Sequence, residues 1–483
     1  MTAQTILPAN SVTGGYEVSN SLRFNSGDSP SMADSVSSNG NVQFSIFSCW
    51  VKRGDLGTNQ TILNYHIDAN NTTQFGFNDD DKLIYHVEEG NSAIVSLISN
   101  AVFRDTSAWY HVMLVQQQNA SSAADRIKIM ANGARLSLAT STIPSDLSSN
   151  YWVAGNSDWN PRIGFNDGAD NNYFDGYLTE VVFLDGQTIP NGNDANYTAN
   201  DNSTVEFDED SGILKPKSPA GLSFGTNGYY LNFKDSSALG NDTNGSNNFA
   251  VTNIAATDQS TDTCTNNFAT MLPLTKSTDA TLSEGNLNVT YGTASTRRAI
   301  FGSIVVTAGK WFCETKVIAT SQTSVEMNLG ISNTYRPEAI GNALVSNNGF
   351  TVSYFPSGSG GALYIGTTRD EQNLGALAVN DILGMAIDMD NGTLQFYKNG
   401  SALGSANDIT TGDSDDGELY PGFTIANSCS SGGQTFTASH NFGSPAYSES
   451  GGNSDASGFG NFSMSVPSGF FSICTKNLAE YGG

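Results

Sequence analysis

Cationic residues are scarce in this chain. Lysine and arginine number 21 against 47 Asp and Glu, a formal net charge of −26, and charged residues of both signs are only 14% of the 483 residues. A field of that sign repels phosphate backbones and anionic lipid, which makes nucleic acid and membrane poor partners. The same scarcity removes the straight-chain residues that populate helices, so almost no helix is expected. Only four histidines are present, His66, His86, His111 and His440, and the first three lie in apolar alternation where a packed imidazole is expected. Five cysteines (Cys49, Cys264, Cys313, Cys429, Cys474) are widely spaced, form no CxxC pair and leave an odd count, which argues against a disulfide framework or a zinc site. The first residues lack a basic n-region and an apolar h-region, and no run approaches about eighteen apolar residues. A soluble, unsecreted chain with reduced thiols is the expectation.

What is present is turn chemistry. Fifty glycines and abundant Asn, Ser, Thr and Asp separate short apolar runs, the pattern of many short strands. From 21 to 199 the runs include SLRF, FSIFSCWVKR, QTILNYHI, KLIYHVE, WYHVMLVQQ, PRIGF and YFDGYLTEVVFLDG. Asn132–Gly133, between two alternating runs, predicts a tight hairpin because both residues tolerate positive φ. The order of FSIFSCWVKR, of WYHVMLVQ with its following Asn-Gly hairpin, and of PRIGF with YFDGYLTEVVFLD resembles the concanavalin A-like jelly rolls of laminin-G and pentraxin type. Phe174, Gly176, Leu178, Glu180 and Val181 carry the most specific part of that resemblance.

Residues 201–277 turn to Asp, Asn, Gly and Ser and read as a loop-rich connector holding a short β module. Within it TNGYYLNFKDSSALGNDTNGSNNFAVTNI resembles the opening of a further laminin-G-like unit. It also resembles a module of phage tail and structural proteins, leading into TNNFATMLPL as here. A second sandwich is expected over 278–447: ILGMAIDM, a D-N-G turn, LQFY and a K-N-G turn predict three antiparallel strands, and with GKWFCETKV and LYPGFTIA the run resembles the SPRY fold. Residues 448–483 read as a Gly/Ser-rich tail with a terminal docking strand, SVPSGFFSICTKNL, similar to an element that follows SPRY-like units in phage structural proteins. The fold class expected is therefore all-β, two antiparallel β-sandwiches in series, with the first unit spanning 1–200.

Catalytic chemistry is thinly represented. A jelly-roll glucanase needs two carboxylates flanking a sugar, and the nearest match, Glu206-Phe207-Asp208-Glu209-Asp210, departs from E-x-D-x-E and lies outside the sandwich, as solvated turn acids would. No serine elbow of the G-x-S-x-G type precedes a helix, and neither H-E-x-x-H nor a phosphate-cradling G-x-x-x-x-G-K-[ST] loop occurs. Hard cations want several oxygens. Asp79, Asp80 and Asp81 on one turn, and Asp167 with Asp170 on another, could offer them to calcium, against the alternative of solvated Asx turns. For a glycan, Trp159 with Asp158 and Asn160 has the needed composition, with Asp167, Asp170 and Tyr173 as an opposing wall; the alternative is an indole folded over the sandwich edge. The SPRY resemblance implies protein binding through loops near 334–342 and 407–418.

The reading is of a non-enzymatic virion protein, a tail- or head-fibre-like appendage. Its partners would be a host-surface glycan or protein and neighbouring virion subunits, and it would form a homo-oligomer, by analogy a trimer. The alternatives are a free glycan-binding lectin and, less favoured, a glycoside hydrolase. No cofactor beyond calcium is implied.

Overall fold

The computed structural model describes residues 15–41, 43–144, 159–167, 172–189, 202–208, 212–276, 280–292, 299–321, 327–333, 351–355, 360–365, 368–409, 422–429, 435–449 and 451–482. Strands and turns make up nearly all of it; among the described residues the one α-helix is Thr475–Tyr481. The chain divides into two units, Met1–Thr265 and Asn266–Gly483.

In the first unit two eight-stranded sheets face one another. One has the spatial order Ala134–Arg135, Ile127–Ala131, Trp109–Gln117, Phe44–Arg53, Gly176–Asp185, Ser21–Phe24, Gln259–Ser260, with Tyr229–Leu231 pairing beside Gly176–Asp185. The other runs Leu138–Thr142, Ser92–Val102, Lys82–Glu89, Asn71–Phe77, Gln60–Asp68, Asn160–Ile163, Ser31–Ala33, Ala250–Thr252. The hairpin predicted at Asn132–Gly133 is present, with φ of 50° and 79° and Ala131 opposite Ala134. Phe47, Cys49, Val51, Phe75, Tyr85, Leu97, Val112, Leu178 and Val181 pack between the sheets.

The Phe44–Arg53 and Gly176–Asp185 strands are buried along almost their whole length on both faces. Their outer side chains, Ile46, Trp50, Val182 and Leu184, need a second cover. It comes from the segment that composition reads as a connector: Val205, Leu214, Leu222, Phe224, Tyr230 and Cys264, together with Tyr16 and Val18, close over this face. Tyr229, Leu231, Phe233, Leu239 and Phe249 from the same segment enter the inner core instead. Alternation along Tyr229–Leu231 sends neighbouring side chains to opposite faces. Residues 202–265 are thus packed structure, not a linker, and the first unit ends at 265 rather than 200.

The second unit pairs an eight-stranded sheet with a six-stranded one. Ile382–Asp388, Thr393–Lys398 and Ser401–Asp408 form the three antiparallel strands anticipated from sequence. Here too the tail is part of the fold. Phe462 and Met464 cover Phe312 and Ala386 on the outer face, and Phe471–Ser472 docks parallel to Lys310–Thr320. The Glu314 carboxylate, 1% exposed, accepts the backbone N–H groups of Ser463 (3.0 Å) and Met464 (2.7 Å). Asp455 accepts from Ser472 N and Oγ and from Asn477 Nδ2.

Glu180 sits where pairing with Phe44–Arg53 slips between Thr179 and Val182, at φ 50°. That bulge turns its carboxylate to the outer face, where it is 5% exposed. Tyr230 Oη lies 2.8 Å from both carboxylate oxygens, and Tyr16 Oη lies 2.9 Å from Tyr230 Oη. Burial pushes the Glu180 carboxyl up from 4.5 to about 7. A folded pKa above the unfolded one contributes stability that is complete below the unfolded value and lost as pH rises through the folded value. His111, held down at about 3 by burial, has the opposite trend, so the informative comparison is between variants. Relative to the parent, Glu180→Gln should gain about 2–3 kcal/mol between about pH 5 and about pH 8. Four of the five tryptophans, Trp50, Trp109, Trp152 and Trp159, precede residue 265, so denaturant titration followed by indole fluorescence reads this unit.

Candidate functional site

The residues singled out from sequence scatter in the first unit. Trp159 is 5% exposed and belongs to the inner core. The expectation of an open indole is corrected: its faces are covered by protein, as in the folded-back alternative. Asn160 opens the Asn160–Ile163 strand, and its Oδ1 accepts the Val36 N–H at 3.0 Å. Asp167 pairs with Arg162 Nε at 3.2 Å, and the Tyr173 ring stacks on Phe165 at 6.0 Å. Asp158 and Asp170 lie outside the described residues.

The acidic turn at 79–81 is not an open oxygen cluster. Asp81, at φ 63° and 4% exposed, gives one oxygen to Arg53 Nη1 (2.9 Å) and Gly57 N (2.8 Å) and the other to Arg104 Nε (2.8 Å). Guanidinium charge already occupies the place assigned to calcium. Asp80 pairs with Lys82 at 3.3 Å, and Asp79 is exposed. Among the described residues no group of three or more His, Cys, Asp or Glu side chains is placed to hold a metal.

The other sequence candidates are structural. His111 Nε2 is 3.2 Å from Thr204 Oγ1 and its ring 5.4 Å from Trp50; His440 Nδ1 is 3.0 Å from Thr315 Oγ1. Burial lowers both imidazoles to about 3, so they stay neutral at ordinary pH. Cys49, Cys264, Cys313 and Cys474 are free, buried thiols. Asp208 is not a solvated turn acid: it pairs with Lys215 at 2.8 Å in a small hairpin of Val205–Phe207 and Leu214–Pro216. Glu209 and Asp210 lie outside the described residues, as do residues 334–342 and 410–418 of the SPRY loops.

A polar concavity lies elsewhere among the described residues of the first unit. A cleft of about 270 Å³ is walled on one side by Asp34, Ser35, Ser37 and Ser38, which follow the Ser31–Ala33 strand, with Val36 between them. Thr226, Asn227, Ser246 and Asn247 wall the other. Two buried carboxylates hold these turns in shape. Asp185, 3% exposed, accepts the N–H of Asn41 (2.7 Å) on one oxygen and those of Thr226 (3.1 Å) and Asn227 (3.0 Å) on the other. Asp242, also 3% exposed, accepts the N–H of Tyr230 (2.9 Å), Asn244 (3.1 Å) and Asn247 (3.2 Å). Backbone must come close to make such contacts. A Cβ at Gly40 or Gly225 would run into Asp185 atoms, and Gly225 has φ 70°, so glycine is needed at both.

Asn227 Nδ2 donates to Ser38 O at 3.1 Å and ties the two walls together. Asn247 Nδ2 is spent on Gly228 O at 2.8 Å. Arg162 Nη1 holds the Asp34 carbonyl at 3.0 Å, so Asn160 and Arg162 buttress the cleft from behind. Desolvation raises the Asp34 carboxyl above its ordinary value. The result is a preorganised surface of hydroxyls, amides and one carboxylate, without an aromatic or cationic side chain in its lining. It can exchange hydrogen bonds with a polyhydroxylated ligand. The sequence carried a partial signal: the D-T-N-G-S-N run at 242–247 is an Asx turn in composition, but its partner wall lies about two hundred residues away.

Asp185→Ala should lower the stability of the first unit by about 2–3 kcal/mol, because buried donors lose their acceptor. Hydrogen exchange at residues 41 and 226–227 should rise in the same variant; unchanged exchange there would remove Asp185 as the organiser of the wall.

Residues 24–189 match the concanavalin A-like lectin/glucanases superfamily, and residues 311–437 match the SPRY domain. No curated protein matches the chain significantly. Among solved structures the chain is similar to the SPRY domain of human HERC1, with 16% identity and TM-score 0.26 over 33% of this chain and 91% of that one. It is similar also to the TRIM65 PSpry domain, with 15% identity and TM-score 0.27 over 35% of this chain and 91% of that one. A Bacteroides ovatus protein provisionally described as carbohydrate-binding is 15% identical with TM-score 0.33, over 49% of this chain and 60% of that one. Among the described residues no helix is long and apolar enough to cross a membrane. The chain carries a concanavalin A-like domain followed by a SPRY domain.

Proposed function

We propose that this chain is a non-catalytic binding protein whose concanavalin A-like unit holds a glycan in the polar cleft between residues 34–38 and 226–247. The cleft carries the reading: hydroxyl and amide groups on turns fixed by buried carboxylates match a ligand that presents hydroxyls, and little ordering cost remains on binding. Catalysis is set aside because Asp208, half of the nearest carboxylate pair, is bound to Lys215 in a hairpin apart from both large sheets. The SPRY unit is assigned protein recognition through its loops near 334–342 and 407–418.

The setting we propose is the surface of a phage particle, as a tail fibre, head fibre or similar appendage. Residues 226–254 leading into 265–274, and residues 465–478, support it by their resemblance to modules of phage structural proteins. A homo-oligomer, by analogy a trimer, suits such a position. The full chain should bind immobilised glycans on an array, copurify with particles, and release no reducing sugar from β-glucans. Glu206→Gln and Asp208→Asn should leave glycan binding unchanged. Particle copurification without glycan binding would leave a purely structural role, whereas sugar release lost in either variant would make the chain a hydrolase.

A further inference from the structure

We infer that the cleft takes a single neutral sugar residue through a vicinal diol, and that Asp34 is the residue that rejects acidic sugars. This rests on the glycan reading above and deepens it.

Asp34 is the one charged side chain in the lining. Its Oδ1 accepts the Ser35 N–H at 2.7 Å, and its Oδ2 has no hydrogen-bond partner among the described residues. A carboxylate so placed accepts from two adjacent hydroxyls at once, and hydrogen bonds to a charged acceptor are stronger than neutral ones. Arg162 is not part of the lining, and its Nη1 holds the carbonyls of Asp34 (3.0 Å) and Pro161 (3.2 Å) while its Nε holds Asp167 (3.2 Å). An incoming uronate, sialate or sulfate would therefore meet Asp34 with no cation in the lining to neutralise it, on a chain of net charge −26.

The rest of the lining agrees. Ser35, Ser37, Thr226 and Ser246 present hydroxyls that have no partner among the described residues. A hydroxyl both donates and accepts, so these groups adapt to whichever sugar oxygens face them. No ring lines the cleft, so affinity does not depend on stacking. Its volume of about 270 Å³ lies below the usual range of roughly 300–1,000 Å³ for drug-sized ligands, which fits one sugar ring rather than an extended chain.

The test uses the full chain with methyl glycosides of glucose, galactose and mannose, and with the methyl glycosides of glucuronate and galacturonate, which carry a carboxylate in place of the C6 hydroxymethyl of glucose and galactose. Saturation-transfer NMR and calorimetry give the affinities. At least one neutral glycoside should bind, with its uronate weaker by about tenfold or more at low salt and the gap narrowing as salt is added. Asp34→Asn should weaken the neutral sugar by about tenfold and close most of the gap. Ser246→Ala, which removes an exposed hydroxyl without an internal partner, should weaken the neutral sugar by several-fold and leave the gap intact. A uronate bound as tightly as its neutral parent, or an Asp34→Asn protein that folds and keeps full affinity, would overturn the inference while leaving glycan binding standing. Binding of none of the five glycosides, together with a blank glycan array, would overturn the glycan reading itself.

Discussion

Each unit contains a sheet that is apolar on both faces, and this constraint organises the molecule. An antiparallel sheet in a sandwich commonly presents one face to water. Phe44–Arg53 and Gly176–Asp185 do not: Phe47, Cys49 and Leu178 point inward while Trp50 and Val182 point outward, and all are buried. Residues 202–265 and the strap at Tyr16–Val18 exist in the structure because that second face must be covered. In the second unit Phe312 and Ala386 demand the same, and residues 462–470 meet it.

Covering a polar-edged sheet with irregular chain raises a second problem, the backbone N–H groups of the covering segments. In a chain where acids outnumber bases 47 to 21, carboxylates are the abundant acceptors. Glu314 takes Ser463 and Met464, Asp185 takes Asn41, Thr226 and Asn227, and Asp242 takes Tyr230, Asn244 and Asn247. These acids are ligands for peptide groups rather than partners for cations. Acidity that composition presents as a surface property is in part an internal fastening system.

The all-β class, the two units and the hairpins at Asn132–Gly133 and Asn399–Gly400 were legible because they rest on local pattern: alternation, and turn residues that accept positive φ. The packing of 202–265 and 448–482 was not legible. Their Asn, Gly and Ser content is that of a linker, and the few apolar residues that decide the matter, such as Phe224 and Phe462, find partners only once distant strands are assembled. Trp159 left two readings open for a related reason. Asp and Asn on either side and a following proline describe an exposed turn, yet the indole is drawn inward by the core beside it. The cleft was missed because Asp34 and Asn247 meet only in three dimensions.

The cleft has one wall inside the family-matched stretch 24–189 and the other beyond it, in the turns around 226–247. The sandwich strands that bear the first core are therefore largely separate from the turn that completes the cleft. The tip at 243–246 is exposed and hangs on the Asp242 acceptor, so substitutions there can reshape the cleft without disturbing the strands. This short loop is free to vary in sequence while the strands stay fixed, much as a tool keeps its handle and exchanges its bit.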